Sequence, residues 1–212
     1  MFTGLNLEKA QNLWETIRFF SQKSWVPATS SNFSVRSTKS DEYIITRSGI
    51  DKSLIRLEDL ILIDKSGEVL EPFNQKGVKS SAETMIHTKI YELFPEINSV
   101  LHTHSVIGTV LSMEYLKDSG IYFEGLEILK ALEGNTTHEM KEFLPVVKNS
   151  QDMNDILRDM ENHLTKPIHG FLIAGHGLYT WGKDIPTAKR QIEAYEFLFE
   201  CFDKMRGSSW RS

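Results

Sequence analysis

Two histidines separated by one residue, His102 and His104, carry the clearest chemical signal in this chain. A β-strand sends alternate side chains to the same face, so both imidazoles of a His-x-His segment can reach one metal ion. Neutral imidazole suits zinc, and a catalytic zinc takes three protein ligands and leaves one position open. His176 lies between two glycines after an apolar run and is the best third donor. The alternative is that these are hydrogen-bonded structural histidines.

The composition narrows the class of protein. With 212 residues, of which 40% are hydrophobic and 25% charged, the chain fits one globular domain with a substantial core. Its formal net charge of -5 argues against a nucleic-acid partner, which would require a broad positive surface. No apolar run approaches transmembrane length, and charged residues interrupt the first twenty positions, so neither a membrane span nor a secretory signal is expected.

Cysteine usage bears on the compartment. Cys201 is the only cysteine and cannot form an intramolecular disulfide, and it lies among apolar residues of the predicted terminal helix. Its expected role is that of a small buried hydrophobe. These features predict a protein of the cytoplasm.

Helical periodicity appears at both ends of the chain and in its middle. Apolar residues from Leu7 to Phe20 recur at helical spacing, with Asn6 available as N-cap. Ser80 and Glu83 match a Ser-x-x-Glu capping box for a helix that ends before Pro95. Further helices are expected between residues 107 and 166, including 127–132 and 153–163, and a long one follows 185–186.

Strand patterns separate these helices. They cover 43–46, 60–63, 100–104, 171–174 and 178–181, and the turn residues of 64–67 indicate a hairpin. The fold class predicted is α/β, a single domain with helices covering a mainly antiparallel or mixed central sheet. Residues 1–206 are expected to form the catalytic domain, and 207–212 a frayed tail.

Five segments stand in a fixed order along the chain: 28–34, 46–49, 80–87, 100–105 and 175–182. Together they resemble the class II aldolase/adducin family, and the match runs from about the first helix to the last. Within the family, the sequence is most similar to members that dehydrate a methylthio-substituted pentulose 1-phosphate in methionine salvage. That likeness rests especially on 25–30, 46–51, 81–84, 101–105 and 125–132.

The resemblance carries specific implications for the fold, the metal and the assembly. It implies a three-layer α/β/α fold of the class II aldolase type and a homotetramer whose active sites lie near subunit contacts. It also implies one zinc ion per subunit, held at the positions of His102, His104 and His176. That ligand set agrees with the one reached from the residues alone.

The family grips a substrate phosphate with small residues of the first three segments. The matching positions here are Thr29, Ser30, Asn32, Ser48, Gly49, Ser80 and Ser81. Hydroxyls, a side-chain amide and backbone N–H groups at a helix start can all donate to a phosphate dianion. The alternative is that serine and asparagine simply make turns. Ser31 stands where many relatives have glycine.

Two glutamates compete for the role of general acid/base. Glu127 matches the position that moves protons in the dehydratases, and it is favoured. Glu83 matches the position that serves as acid/base or additional metal ligand in sugar-phosphate aldolases. A partly desolvated glutamate with a raised pKa suits either task.

The implied activity is a zinc-dependent loss of water from a ketose phosphate. Two alternatives stay open: a class II sugar-phosphate aldolase or pentulose-phosphate 4-epimerase, and a non-catalytic interaction module like adducin. Preservation of the three histidines argues against the second.

Overall fold

Five α-helices are interspersed with eight strands in the computed structural model, which describes residues 1–164 and 168–207. The α-helices of these ranges are α1 (Gly4–Gln22), α2 (Thr84–Leu93), α3 (Val106–Glu114), α4 (Met153–His163) and α5 (Ile185–Gly207). The strands are β1 (Phe33–Arg36), β2 (Glu42–Thr46), β3 (Leu60–Asp64), β4 (Ser99–Thr103), β5 (Gly120–Phe123), β6 (Glu142–Val147), β7 (Gly170–Ile173) and β8 (Gly177–Gly182).

The first of two compact units comprises residues 1–103 and 181–188. Its strands are ordered β3-β2-β1-β4, and every neighbouring pair is antiparallel. Helix α1 packs against β1 through an apolar stripe at helical spacing that includes Ala10, Leu13, Ile17 and Phe20. Strands β1 and β4 therefore lie side by side. Predicted site residues directly precede β1, and others lie in β4 and directly after it.

The start of α1 differs from the prediction. The helix begins at Gly4, and the residue before it is Thr3. Asn6 lies inside the helix, where its side-chain oxygen accepts a hydrogen bond from the backbone N–H of Thr38 at 2.9 Å. The Asn6 side chain therefore connects α1 to the loop that contains Thr38. The sequence alone does not distinguish this contact from capping.

The capping box predicted for α2 was also wrong. The helix begins at Thr84 after Glu83, and the hydroxyl of Ser80 donates instead to the backbone carbonyl of Gly67 at 2.9 Å. The carboxylate of Glu83 is consequently left to interact elsewhere. Its contacts are described with the candidate site below.

The second unit comprises, of the residues described, 104–164, 168–180 and 189–207. Its strands are ordered β8-β7-β6-β5, with β6 and β7 parallel and the other two pairs antiparallel. Helix α3 packs against β7, and α4 packs against β6. The sequence-based prediction of helices through this region missed β5 and β6, and the helix expected at 127–132 is a 3₁₀ helix, Glu127–Ala131.

The prediction of an α/β fold with a mixed sheet in a single domain is confirmed. Gly207, assigned to the tail, is the last residue of α5. The rest of that tail, 208–212, lies outside the described residues. Within the described part of the chain, no helix has the length and apolar character needed to cross a bilayer.

Candidate active site

Three histidines form a cluster that could hold a metal ion. His102 is the fourth residue of β4 and is fully buried, whereas His104 follows the strand and His176 lies in the turn between β7 and β8. One ring nitrogen from each of the three lies within 4.8 Å of the others. The rings of His104 and His176 meet edge to face, with centroids 4.6 Å apart. Three convergent imidazole nitrogens are a donor set that suits zinc.

The turn that presents His176 is anchored to α3. Gly175, at φ +65°, allows the chain to reverse between two antiparallel strands. Its backbone N–H donates to the Ser112 hydroxyl at 2.9 Å, and the Thr109 hydroxyl donates to the carbonyl of His176 at 3.0 Å. These two bonds and the hairpin restrain the backbone of the third proposed ligand.

His102 is positioned by the pairing of β1 with β4. The antiparallel register sets Phe33 opposite Leu101, and it continues one step further, where the His102 N–H donates to the carbonyl of Asn32 at 3.1 Å. On the side-chain side, Oε2 of Glu83 lies 3.6 Å from Nε2 of His102. The structure therefore brings Glu83, one of the two predicted acid/base residues, to the edge of the histidine cluster.

A chain of polar contacts runs inward from Glu83. Asn32 donates from Nδ2 to Oε2 of Glu83, and the Oδ1 atom of Asn32 contacts Nε2 of His87. The other ring nitrogen of His87, Nδ1, lies 2.7 Å from the hydroxyl of Ser34, which lies 2.9 Å from the hydroxyl of Tyr91. Glu83, the N-cap of α2, and His87 and Tyr91 within the helix recur every four residues and face Asn32 and Ser34, which are two residues apart. The four-residue spacing on the helix matches the two-residue spacing of Asn32 and Ser34, because four helical residues rise about 6 Å and two extended residues about 6.6 Å.

His87 is neutral in this setting. Complete burial lowers its pKa to about 3, and the nearby Glu83 carboxylate opposes that shift only partly. Burial likewise raises the pKa of Tyr91. The sequence left His87 open as either a residue facing the site or a structural one; the structure places it one residue behind the carboxylate.

The three segments predicted to bind phosphate converge in the first unit. The N–H of Ser48 donates to the carbonyl of Lys79 at 2.9 Å, which joins the second segment to the residue that precedes the third. The contact of Asn32 with Glu83 joins the first segment to the third. These two contacts bring segments that are far apart in sequence close together, as a shared ligand would require.

Several hydroxyls of these segments already have hydrogen-bond partners. Ser30 donates to the carbonyl of Pro27 at 2.6 Å, and Ser80 donates to that of Gly67 at 2.9 Å. The Ser81 hydroxyl accepts from the N–H of Glu83 at 3.3 Å. To donate to a phosphate oxygen, the hydroxyls of Ser30 and Ser80 must rotate away from these carbonyls.

The backbone conformation at position 31 accounts for the glycine that the family pattern favours there, where this chain has serine. Ser31 lies at φ +71°, a left-handed conformation that favours glycine. It is buried, and its hydroxyl has no hydrogen-bond partner among the described residues. Gly49, at φ +77°, meets the same conformational demand without a side chain.

Lys52 is a residue that sequence reasoning missed. It is 1% exposed, and its Nζ donates to the carbonyl of Ile50 at 2.8 Å. Burial lowers its pKa to about 8, against the opposing charges of Asp51, Glu83 and Asp59. A lysine in an Ile-Asp-Lys-Ser loop gives no sequence signal of burial, because lysine is almost always exposed.

Glu127 has the opposite environment. Its side chain is 71% exposed, with Lys130 at 2.7 Å and His138 at 3.5 Å. The hydrogen bond from Lys130 and its charge hold the pKa of Glu127 below its usual value. Glu127 lines an apolar depression with Ile128, Phe197 and Cys201. Glu127 is therefore not a desolvated carboxyl with a raised pKa, the state that suits a general acid/base.

Residues 11–202 match the family model for the class II aldolase and adducin N-terminal domain. The chain belongs to the class II aldolase/adducin family. YgbL from Escherichia coli shares the fold, with a TM-score of 0.80 at 21% identity over 99% of this chain and 93% of that one. The predicted fold of class II aldolase type is thereby confirmed.

Two relatives narrow the comparison within the family. The methylthioribulose-1-phosphate dehydratase of Stenotrophomonas maltophilia (strain K279a) is 43% identical over 94% of this chain and 92% of its own length. The enzyme of the same name from Pseudomonas fluorescens (strain Pf0-1) is 46% identical over 93% of each chain. Both alignments span nearly the whole of either protein.

Proposed function

We infer that this protein is a methylthioribulose-1-phosphate dehydratase, a hydro-lyase of methionine salvage. The reaction removes water from 5-methylthioribulose 1-phosphate and gives 2,3-diketo-5-methylthiopentyl 1-phosphate. The observation that carries the proposal is the three-histidine cluster beside Glu83, in a chain whose full-length relatives bear that name.

The metal proposed is zinc, one per subunit, with His102, His104 and His176 as ligands. Three nitrogen donors fit a catalytic zinc, which keeps a position for substrate. When bound, zinc supplies a Lewis acid that polarises the C2 ketone and makes the neighbouring C3 proton more acidic. The remaining work is done by side chains of the protein.

A carboxylate must move the protons. It takes the proton from C3, and a proton is delivered to the C4 hydroxyl, which leaves as water; the resulting enol becomes the 2,3-diketone. We assign this transfer to Glu127, following the family position, and assign Glu83 to the edge of the metal site beside His102. Because Glu127 is exposed and its pKa is lowered, its action requires that substrate or a neighbouring subunit displace Lys130 and desolvate the carboxyl.

The phosphate of the substrate is proposed to bind where the first three segments converge. The donors would be the side chains and backbone of Thr29, Ser30, Asn32, Ser48, Gly49, Ser80 and Ser81. The proximity of these segments supports the assignment. Lys52 adds a buried positive charge beside the same segments.

A homotetramer in the cytoplasm completes the proposal. Phe197 on α5 is 52% exposed, although Phe199 on the same helix is buried. An exposed aromatic bordering an apolar depression is typical of a surface that another chain covers. Light scattering after size-exclusion chromatography tests the assembly, and four chains per particle are expected. The single free cysteine suits a reducing compartment.

Product analysis tests the activity. The zinc-loaded protein is incubated with methylthioribulose 1-phosphate, and mass spectrometry is expected to show a product lighter by one water. An aldehyde with a smaller ketose phosphate would instead identify an aldolase, and an unchanged carbon chain with inverted C4 a 4-epimerase.

Metal analysis separates catalysis from a binding module. One zinc per chain is expected in the purified protein, and His104→Ala is expected to abolish stoichiometric zinc. A protein without zinc and without turnover would support the adducin-like interaction module.

A further inference from the structure

The polar chain behind Glu83 defines the direction of each hydrogen bond along it. Asn32 offers Nδ2 to a carboxylate, which can only accept, so its Oδ1 faces His87. An amide oxygen can only accept, and therefore Nε2 of His87 carries the proton. The remaining nitrogen, Nδ1, must then accept from the Ser34 hydroxyl at 2.7 Å.

Burial enforces that pattern. His87 is 1% exposed and Ser34 is fully buried, so neither side chain can exchange its partner for water. The low pKa of His87 keeps the ring neutral, with one donor and one acceptor nitrogen. A reversed Asn32 amide would set two acceptors, Oδ1 and the Glu83 carboxylate, against each other, and Nδ2 against the N–H of His87.

We propose that His87 is a positioning residue of the active site: its Nε2–H fixes the Asn32 amide with the nitrogen toward Glu83, and so holds the carboxylate beside His102. Asn32 also accepts the backbone N–H of His102 through its carbonyl. Asn32 thus contacts both the proposed ligand His102 and the Glu83 carboxylate, and His87 sets the orientation of the Asn32 amide. The effects on turnover rest on the proposed function. The effects on zinc affinity do not, because they can be measured without the substrate.

Two substitutions test the roles of the two ring nitrogens of His87 separately. Glutamine can place an amide N–H where Nε2 lies, so His87→Gln keeps the donor to Asn32. Asparagine reaches only as far as Nδ1, so His87→Asn keeps a polar group near Ser34 and removes the donor to Asn32. His87→Met keeps much of the volume and offers no donor at all.

Zinc affinity is the first readout, measured on the metal-free full-length protein by competition with a chelator. Removing the outer partners of a metal site weakens metal affinity or activity by about 10- to 100-fold, so His87→Asn and His87→Met should weaken zinc binding by at least about tenfold. His87→Gln should stay within about threefold of the unmodified protein, because it retains the donor.

Ser34→Ala is the stability control. It removes the hydrogen bond to Nδ1, and it should lower the melting temperature as His87→Asn does, yet leave zinc affinity and kcat/KM within about threefold. Should zinc affinity follow the melting temperature across all four variants, or should His87→Gln and His87→Asn behave alike, His87 is merely structural and the proposal is wrong.

A double-mutant cycle tests the route through Asn32. In an Asn32→Ala background, His87→Met should cause no further loss of zinc affinity or kcat/KM, since the amide it orients is gone. Additive losses would overturn the proposal. If the unmodified protein fails to dehydrate methylthioribulose 1-phosphate, the proposed function fails by itself, and the zinc measurements still decide the role of His87.

Discussion

Oε2 of Glu83 lies 3.6 Å from Nε2 of His102. This contact with a proposed metal ligand distinguishes Glu83 from Glu127, the other glutamate considered for proton transfer. Glu83 is 23% exposed and hydrogen-bonded by Asn32, so it is held in place. Glu127 is 71% exposed and bonded to Lys130. The difference in environment predicts different consequences when either carboxylate is neutralised.

Neutralising each glutamate should separate metal binding from turnover. Glu127→Gln is expected to retain one zinc per chain and lose at least about 100-fold in kcat, the scale of general acid/base catalysis. Glu83→Gln should lower both zinc affinity and kcat, because it removes a negative charge beside His102.

The exposed Glu124 supplies the control for the glutamate variants. It pairs with Lys141 at 3.7 Å and is 67% exposed, and Glu124→Gln should leave zinc content and kcat unchanged. Near-normal turnover by Glu127→Gln would transfer the proton-transfer role to Glu83. Zinc content is measured by atomic spectroscopy and kcat by product formation.

The turn before His176 predicts a second effect. A Cβ at Gly175 would approach Sδ of Met113 to 3.0 Å, in a backbone conformation of φ +65°. Gly175→Ala is therefore expected to lower the free energy of unfolding by about 1–3 kcal/mol and to shift His176. Zinc affinity should fall with it.

Gly134 provides a matched comparison for Gly175. It has φ +88°, and among the described residues no heavy atom other than those of Gly134 and its chain neighbours lies within 4 Å of an added Cβ. Gly134→Ala should show only the cost of backbone strain and keep its zinc affinity. Equal zinc affinity in both variants would show that the turn does not position the third ligand.

Local patterns were sufficient to predict the histidine cluster, and insufficient for what surrounds it. The His-x-His spacing and the glycines around His176 report directly on backbone geometry. The role of Glu83 could not be read in the same way. Ser-x-x-Glu has the same spacing whether the serine caps the helix or donates to Gly67, as it does here.

The missed strands show a similar limit. The short apolar runs of β5 and β6 fit a buried helix segment as well as a strand, so periodicity alone does not separate the two. Burial of Lys52 depends on segments distant in the chain, and no local pattern encodes it. The repeat of Glu83, His87 and Tyr91 at four-residue spacing was a usable signal, because it places three polar groups on one face of a helix.

Ser31 predicts a stabilising substitution. It combines φ +71° with a buried hydroxyl that has no partner among the described residues. Ser31→Gly removes both penalties and should raise the free energy of unfolding by about 1 kcal/mol. Denaturation by urea measures the change. Asn32 and its contacts are left in place, so KM for the phosphorylated substrate should stay within about threefold; a lower stability would show that the hydroxyl has a favourable role.

A partly buried ionic cluster in the second unit predicts how stability depends on pH. His169 contacts Oε1 of Glu142 from Nδ1 at 2.9 Å and the carbonyl of Glu133 from Nε2 at 2.6 Å, so both nitrogens face acceptors. Tyr195 donates to the same carboxylate oxygen at 2.6 Å. Burial opposes the charge on His169, but the hydrogen bond and charge of Glu142, with the Glu133 carbonyl, raise its pKa above 6.5.

Because the folded-state pKa is raised, the stability from this imidazolium is fully present below about pH 6.5 and is lost as pH rises through the folded value. His169→Gln should lower the melting temperature by roughly 5 °C at pH 6 and by much less at pH 9. Tyr195→Phe removes a bond to Glu142 without removing the imidazole, so its deficit should persist at both values. Differential scanning calorimetry from pH 5.5 to about 9 measures both; a His169→Gln deficit that is the same across that range would show that His169 contributes no charge to the cluster.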